Sequence, residues 1–548
     1  MKPVEALLRV LREEGVSKVF GNPGTTELPF LDAVVGAPDL EYVLGVHEGA
    51  VVALADGYAR ATRRPAFVSL HVAAGLANGL AGLLNASRSR TPLVVTAGQQ
   101  DRRHLAQDPM LSGDLVGLAR SAVKHTFDVR HAHDLPLALR RAFALAVRPP
   151  AGPVFLSIPM DLLAEDTDVE LPARSAPPPP SVAGGVPRAA GLLAAASRPA
   201  VVAGDGVGRD GAVAELVAVA EALGATVFHQ PMHDRMDFPG THPLHAGALA
   251  PTHAAIREAL AQHDVVLIAG CHAFMAHHYT PGPAIPASTS VVQLDSDPDE
   301  IGRNFAVAQG MVGDLPATLA ELARELTGRV PAAAGRAREA GRRHAERRAA
   351  HRSAALAAVA KAPMDARAAA LAVADALPPE AILLEEAITT GVALRPLLRL
   401  ERPDAFVHTV GGGLGAGIGM AVGTALGSPG RPVVALLGDG CALFGLQGLW
   451  NAARLGLPVT FVIASNGEYR TLKETLDGWG SRATAARHYP GLDLAPPHLD
   501  FTVAAAFFGV DALRVTDRDE LAEVVAGAAH RTGPLLVDVP VLGHTPPA

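Results

Sequence analysis

A chain of 548 residues is too long for one compact core and, at about 100–200 residues per domain, suits three. Hydrophobic residues at 49% and charged residues at 19% exclude a disordered or coiled-coil chain, and aromatics at 4% leave Ala, Val and Leu to build the core. A net charge of −8 with no basic tract argues against nucleic acid as a partner; two distant cysteines, Cys271 and Cys441, outside any CxxC spacing, argue against a disulfide scaffold and point to a reducing cytoplasm.

The N-terminal run MKPVEALLRVLREEG reads as an amphipathic helix. Glu13 and Glu14 stand where an export signal needs an apolar run. Next come VFGNPG, EYVLGVHE, PAFVSLH, TPLVVTAG and PVFLSIP, short apolar runs ending in Gly, Pro or polar residues. They read as parallel strands whose carboxyl ends carry ligand-binding loops. Residues 171–187, with Pro177 to Pro180 in succession, form an expected extended linker. A second block holds PAVVAGDGVG, ATVFHQP, VVLIAG and SVVQLDSDP. An Arg- and Ala-rich stretch, 331–363, reads as a solvated helical connector. The last block holds AILLEEA, AFVHTVGGGLGAG, PVVALLGDG, PVTFVIASNG and PLLVDVPV. The expected architecture is α/β, three doubly wound parallel-sheet domains spanning 1–170, 188–330 and 364–548. Few residues follow the last strand, so internal loops are expected to close any site.

Residues 410–427 carry no charge and approach the length of a membrane span. Their many glycines supply almost no apolar surface, so a buried Gly-rich turn and helix is the expectation, with no membrane partner.

The chemistry is densest between Val433 and Tyr469. One strand ends at Gly438-Asp439-Gly440 and the next at Asn466, 27 residues after Asp439, which brings both to the carboxyl edge of adjacent strands. Mg2+ takes six oxygens: a carboxylate, an amide oxygen, a backbone carbonyl, two diphosphate oxygens and a water meet that need. Asp439, Asn466 and Glu468 are the candidate metal positions. Gly438, Gly440 and Cys441 open a helix whose N–H groups suit a diphosphate. Thr389 and Thr390 fall where hydroxyls assist it. Upstream, Glu48 ends a strand in His-Glu-Gly and suits the carboxyl that thiamine chemistry needs against its aminopyrimidine. Gly412 and Leu414 would support the bent cofactor, Leu414 as the apolar wedge.

Together these residues resemble the thiamine diphosphate-dependent decarboxylase and acetolactate synthase superfamily, over nearly the whole chain. Within it GNPGTTELPF (21–30), SLHVAAG (69–75), TPLVVTAGQQ (91–100) and FMAHHYTPG (274–282) are similar to the benzoylformate decarboxylases. The resemblance implies thiamine diphosphate and Mg2+ as cofactors and decarboxylation of a 2-oxo acid to an aldehyde and CO2, with scope for carboligation. It implies that Glu48 activates the cofactor, that His71 and His277 handle protons, and that Thr25 meets the substrate carboxylate. A homo-oligomer follows, a dimer or a pair of dimers, because such cofactors lie between subunits.

The chain departs from the family pattern at three places. Ser465 precedes Asn466 where a second Asn is usual, Thr25 replaces a serine, and Thr475 replaces a phenylalanine among the substrate-pocket positions Met110, Leu111, Thr471, Leu472 and Thr475. The last change keeps open an acetolactate synthase-like or 2-hydroxyacyl-CoA lyase-like activity. A noncatalytic cofactor-binding subunit is a further alternative. GDGVG (204–208) is too short a motif to show FAD or ADP in the middle domain.

Overall fold

The computed structural model describes residues 1–176 and 179–546; Pro177 and Pro178 of the expected linker lie outside the described residues. Two compact units form, one of Met1–Pro177, Val359–Val392 and Gly411–Ala548, the other of Pro178–Ala358 and Ala393–Val410.

The first unit opens with the amphipathic helix Pro3–Glu13, which buries Ala6, Leu7, Val10 and Leu11. Its first sheet holds β1 (Lys18–Gly21), β2 (Glu41–Leu44), β3 (Ala66–Leu70), β4 (Leu93–Gln99), β5 (His125–Asp128) and β6 (Val154–Pro159), in the order β2-β1-β3-β4-β6-β5. The register is parallel, with Phe20 beside Val68 and Leu70 beside Ala97. β3, β4 and β6 are buried along their whole length, as central strands covered by helices on both faces must be, so they read as unbroken apolar runs.

The second unit carries β7 (Pro199–Ala203), β8 (Thr226–His229), β9 (His245–Ala248), β10 (Val265–Ala269), β11 (Ser290–Asp295) and β12 (Gln309–Val312), ordered β12-β11-β10-β7-β8-β9. It also holds the 24-residue helix Ala333–Leu356 and β14 (Phe406–His408). The third sheet sets β13 (Ile382–Glu386), β15 (Val433–Gly438), β16 (Val459–Ser465), β18 (Leu535–Pro540) and β17 (Asp511–Arg514) side by side in that order within the first unit. Gly438 pairs with Ala464 in a parallel register, so β15 and β16 end level and deliver Asp439 and Asn466 to one edge.

The uncharged stretch 410–427 becomes a Gly-rich turn and the helix Ala416–Gly427, packed on the helix Glu48–Thr62. Their backbones approach so closely that a Cβ on Gly57 would stand 2.2 Å from Met420 O, and one on Gly423 would stand 2.0 Å from Leu54 O. Glycine is required for contact at that distance, which explains a composition that imitates a membrane span without its bulk. Among the described residues no helix is long and apolar enough to cross a membrane.

Candidate active site

Three strand ends of the first sheet supply one neighbourhood. The turn after β2 places Glu48 at the start of its helix, but His47 does the capping, its Nδ1 accepting from Gly49 N at 3.1 Å. The Glu48 carboxylate is instead held by two amides: Asn78 Nδ2 donates to Oε2 at 3.0 Å and Asn22 Nδ2 to Oε1 at 3.3 Å. A Cβ on Gly75 would reach within 3.0 Å of Glu48 Oε1, so the SLHVAAG turn folds directly against it. Glu48 is buried, yet it does not act as a helix cap.

His71 ends β3 and precedes the helix Val72–Arg88. Val72 has φ +44° and is fully buried; a β-branched residue there costs about 1–2 kcal/mol. The imidazole is fixed from residues 22–27. Glu27 Oε2 lies 2.8 Å from His71 Nδ1, and Thr26 Oγ1 lies 3.0 Å from the same nitrogen. Thr26 Oγ1 also donates to Glu27 Oε1 at 2.6 Å, and Gly98 N donates to that oxygen at 3.1 Å. Gly24 must be glycine, since a Cβ would fall 2.3 Å from the His71 ring. Thr25 stands exposed, one residue before the threonine that meets His71. Loop 22–27 therefore serves both Glu48 and His71. Asn22, Thr26, Glu27 and Asn78 escaped the sequence reading, although an acid three residues after a loop glycine, as in Gly24-Thr25-Thr26-Glu27, is a capping pattern that marks Glu27.

At the edge of the third sheet, Asp439 Oδ2 accepts from Gly467 N at 2.6 Å and Asn466 N at 2.9 Å, and Oδ1 from Gly440 N at 2.8 Å. Burial pushes the Asp439 carboxyl up, and these three N–H groups oppose that by favouring its charge. Asn466 Oδ1 accepts from Glu468 N at 3.0 Å. The Glu468 carboxylate is engaged by Lys473 Nζ and by His544 N, which leaves its backbone carbonyl as the oxygen it could offer a metal. Among the described residues no three His, Cys, Asp or Glu side chains are placed to hold a metal ion. The loop also leaves room only for glycine at 440, where a Cβ would meet Tyr469 Cε1 at 2.7 Å. Burial, then the nearby Glu386, Glu385 and Asp439 carboxylates, push the Cys441 thiol up, so it stays neutral.

Thr390 is buried, and Thr389 Oγ1 lies 3.0 Å from Thr471 Oγ1. A diphosphate candidate and a pocket candidate thus touch. Thr475 Oγ1 donates to Thr471 O at 2.8 Å, which occupies its hydroxyl and leaves the methyl as its outward chemistry. The Gly-rich turn is pinned by Asn85, whose Nδ2 donates to Gly413 O at 2.8 Å while its Oδ1 accepts from Gly413 N at 3.0 Å. Gly412 has φ +79°, a conformation that favours glycine. Glu386, at the end of β13, caps the helix Ala416–Gly427: Oε1 accepts from Gly415 N and Ala416 N, and Oε2 from Gly417 N at 3.0 Å. Met110, Leu111, Leu414 and Leu472 are exposed. His277 belongs to the second unit, where its Nδ1 lies 2.9 Å from Nε2 of His278.

Comparison with known proteins adds three family matches: the thiamine pyrophosphate enzyme N-terminal TPP binding domain over residues 1–129, its central domain over 186–322 and its C-terminal TPP binding domain over 389–539. The chain is 36% identical to benzoylformate decarboxylase of Pseudomonas aeruginosa, covering 98% of this chain and 99% of that one. It is 29% identical to the acetolactate synthase large subunit of Parasynechococcus marenigrum, covering 98% and 87%. Among solved structures it is similar to a thiamine diphosphate-dependent 4-hydroxybenzoylformate decarboxylase of Rhodococcus jostii, with TM-score 0.88, 31% identity and 99% of each chain covered. Benzoylformate decarboxylase of Polynucleobacter necessarius gives TM-score 0.88 at 29% identity over 100% of each chain.

Proposed function

Since this chain belongs to the thiamine pyrophosphate enzyme family, we propose that it is a Mg2+-dependent, non-oxidative decarboxylase that converts a benzoylformate-like 2-oxo acid to an aldehyde and CO2. The observation that carries this reading is the shared loop 22–27, which reaches a buried carboxylate, Glu48, through Asn22 and an imidazole, His71, through Glu27.

Asp439 and Asn466 side chains and the Glu468 carbonyl would hold Mg2+. Gly438, Gly440, Cys441, Thr389 and Thr390 would receive the diphosphate, and Gly412 and Leu414 would support the rest of thiamine diphosphate. When bound, that cofactor supplies the electron sink for the pair released with CO2. Glu48 would exchange a proton with the aminopyrimidine, its carboxylate aligned by the Asn22 and Asn78 amides. His71, with Nδ1–H directed to Glu27, would present Nε2 as its basic nitrogen and move protons at the substrate-derived oxygen and carbon together with His277. Thr25 would meet the substrate carboxylate. Met110, Leu111, Thr471, Leu472 and Thr475 would line the pocket, and the methyl of Thr475 makes that wall aliphatic where relatives carry an aryl group.

We also propose the divisions 1–170, 188–330 and 364–548, a cytoplasmic location, in keeping with two free buried cysteines, and a homo-oligomer. Support for the oligomer is that Met110, Leu111, Leu414, Phe444 and Leu472, on or near the proposed site loops, are large apolar side chains left exposed on this chain. A homodimer or a homotetramer would cover them.

The test supplies thiamine diphosphate and Mg2+ with aryl, branched and linear 2-oxo acids and follows CO2 and aldehyde. Release of both from at least one acid is expected. Consumption only with a second 2-oxo acid or an acyl-CoA would overturn the reading in favour of an acetolactate synthase-like or 2-hydroxyacyl-CoA lyase-like carboligase, which the threonine at 475 keeps open. Intact Glu48, Asp439 and Asn466 weigh against a noncatalytic subunit.

A further inference from the structure

The helix Arg470–Gly478, which carries Thr471, Leu472 and Thr475, buries a single side chain, Lys473. A helix so weakly embedded takes its position from polar ties at its ends. At the first turn Lys473 Nζ bridges Glu468 and Asp493, and Arg470 Nη1 donates to Leu542 O at 2.9 Å. At the last turn sits Asp477, a carboxylate at the helix end that disfavours negative charge. Three donors offset that: Tyr489 OH at 2.5 Å, Thr484 Oγ1 at 2.9 Å and, on the other oxygen, His544 Nε2 at 2.5 Å.

His544 comes from the short segment after β18, read in the sequence as too brief for a lid. The segment is itself anchored, Val541 N donating to Ser465 O at 2.8 Å and Leu542 N to Met364 O at 2.9 Å. Gly543 lies on the metal loop, where a Cβ would stand 2.8 Å from Glu468 Oε1, and His544 N donates to that oxygen. The imidazole packs edge-on against Tyr489 with ring centres 5.0 Å apart, and its side chain is 4% exposed. One residue therefore touches both the loop of Asn466 and the far end of the pocket helix.

We propose that residues 541–544 form a strap that fixes the pocket helix against the metal loop, with His544 as a positioning residue that sets affinity for the 2-oxo acid. The substrate part of this inference rests on the decarboxylase reading above. The strap holds the helix through Asp477 and the loop through Glu468, so its loss releases pocket residues while Asp439 and Asn466 keep their own backbone partners.

The test compares wild type, His544→Ala and His544→Gln holoenzymes, each also in a Trp450→Phe background that leaves Trp479, beside Asp477 and 70% exposed, as the reporter of the pocket helix. His544→Ala is expected to raise KM for the 2-oxo acid about tenfold and lower Trp479 anisotropy, with kcat and thiamine diphosphate half-saturation within about twofold. His544→Gln, which keeps a donor for Asp477, is expected to restore most of both. Unchanged KM and anisotropy would overturn the strap, as would a rise in KM matched by equal losses of cofactor affinity and thermal midpoint. Should wild type decarboxylate no 2-oxo acid, the decarboxylase reading falls and the anisotropy comparison alone decides the strap.

Discussion

Glu27 Oε2 lies 2.8 Å from His71 Nδ1, and Glu27 is 4% exposed. A carboxylate there selects the tautomer with the proton on Nδ1 and leaves Nε2 to accept. Replacing Glu27 with Gln keeps the shape and removes the charge, so the ring loses its fixed tautomer. The expected result is a fall in kcat/KM of about 10–100-fold, with thiamine diphosphate affinity unchanged. Steady-state rates and cofactor titration measure the two separately, and a variant with wild-type kcat/KM would remove Glu27 from the machinery.

Glu386 predicts a pH dependence of stability. Burial pushes its carboxyl from the ordinary 4.5 up to about 8, against the Gly417, Ala416 and Gly415 N–H groups that favour its charge. Between those values the folded chain holds a proton that the unfolded chain has released. Its contribution is therefore fully present below 4.5 and is lost as pH rises to about 8. The slope is at most about 1.4 kcal/mol per pH unit. Glu386→Gln is neutral throughout and should flatten it. Urea unfolding of the cofactor-free protein from pH 5 to 8 (about the window in question) checks this, and parallel slopes for the two proteins would contradict it.

The middle sheet predicts a negative result with nucleotides. Its carboxyl edge is filled by the protein's own polar side chains: Asp205 accepts from Gln230 Nε2 and Asp234 N, both at 2.7 Å, and Asp237 Oδ1 from Gly208 N at 3.2 Å. The turn after β7 is also closed, since a Cβ on Gly204 would stand 2.3 Å from Cys271 Cα. A pyrophosphate needs open N–H groups and uncommitted positive charge, and the two arginines at this edge are already paired, Arg235 Nε with Asp234 Oδ1 at 2.8 Å and Arg209 Nε with Asp210 Oδ1 at 3.0 Å. Equilibrium dialysis against ADP and absorbance of the purified protein near the flavin bands should both show no binding. A stoichiometric flavin or adenine nucleotide would contradict the account of this edge.

The three sheets and the Asp439 and Asn466 pair were legible because buried parallel strands announce themselves as short apolar runs and their ends as glycine and polar residues. The partners of the site residues were not. Asn22 and Asn78 lie 26 and 30 residues from Glu48 along the chain, and Asn85 lies 328 residues from Gly413, separations at which no local spacing reports a contact. That Thr26 turns in to His71 while Thr25 stands exposed is a matter of which way one short 3-10 turn rotates. The pocket helix illustrates the same limit: its hold on His544 arises only when the segment after β18 meets a residue 67 positions earlier.

Every role in the account depends on Glu48 activating thiamine diphosphate within this chain's own amide setting. Hydrogen–deuterium exchange at C2 of the bound cofactor, followed by quenched-flow NMR, measures that directly. Wild type should exchange fast, and Glu48→Gln should exchange about 100-fold or more slower with the cofactor still bound. Equal exchange rates in the two proteins would contradict the claim.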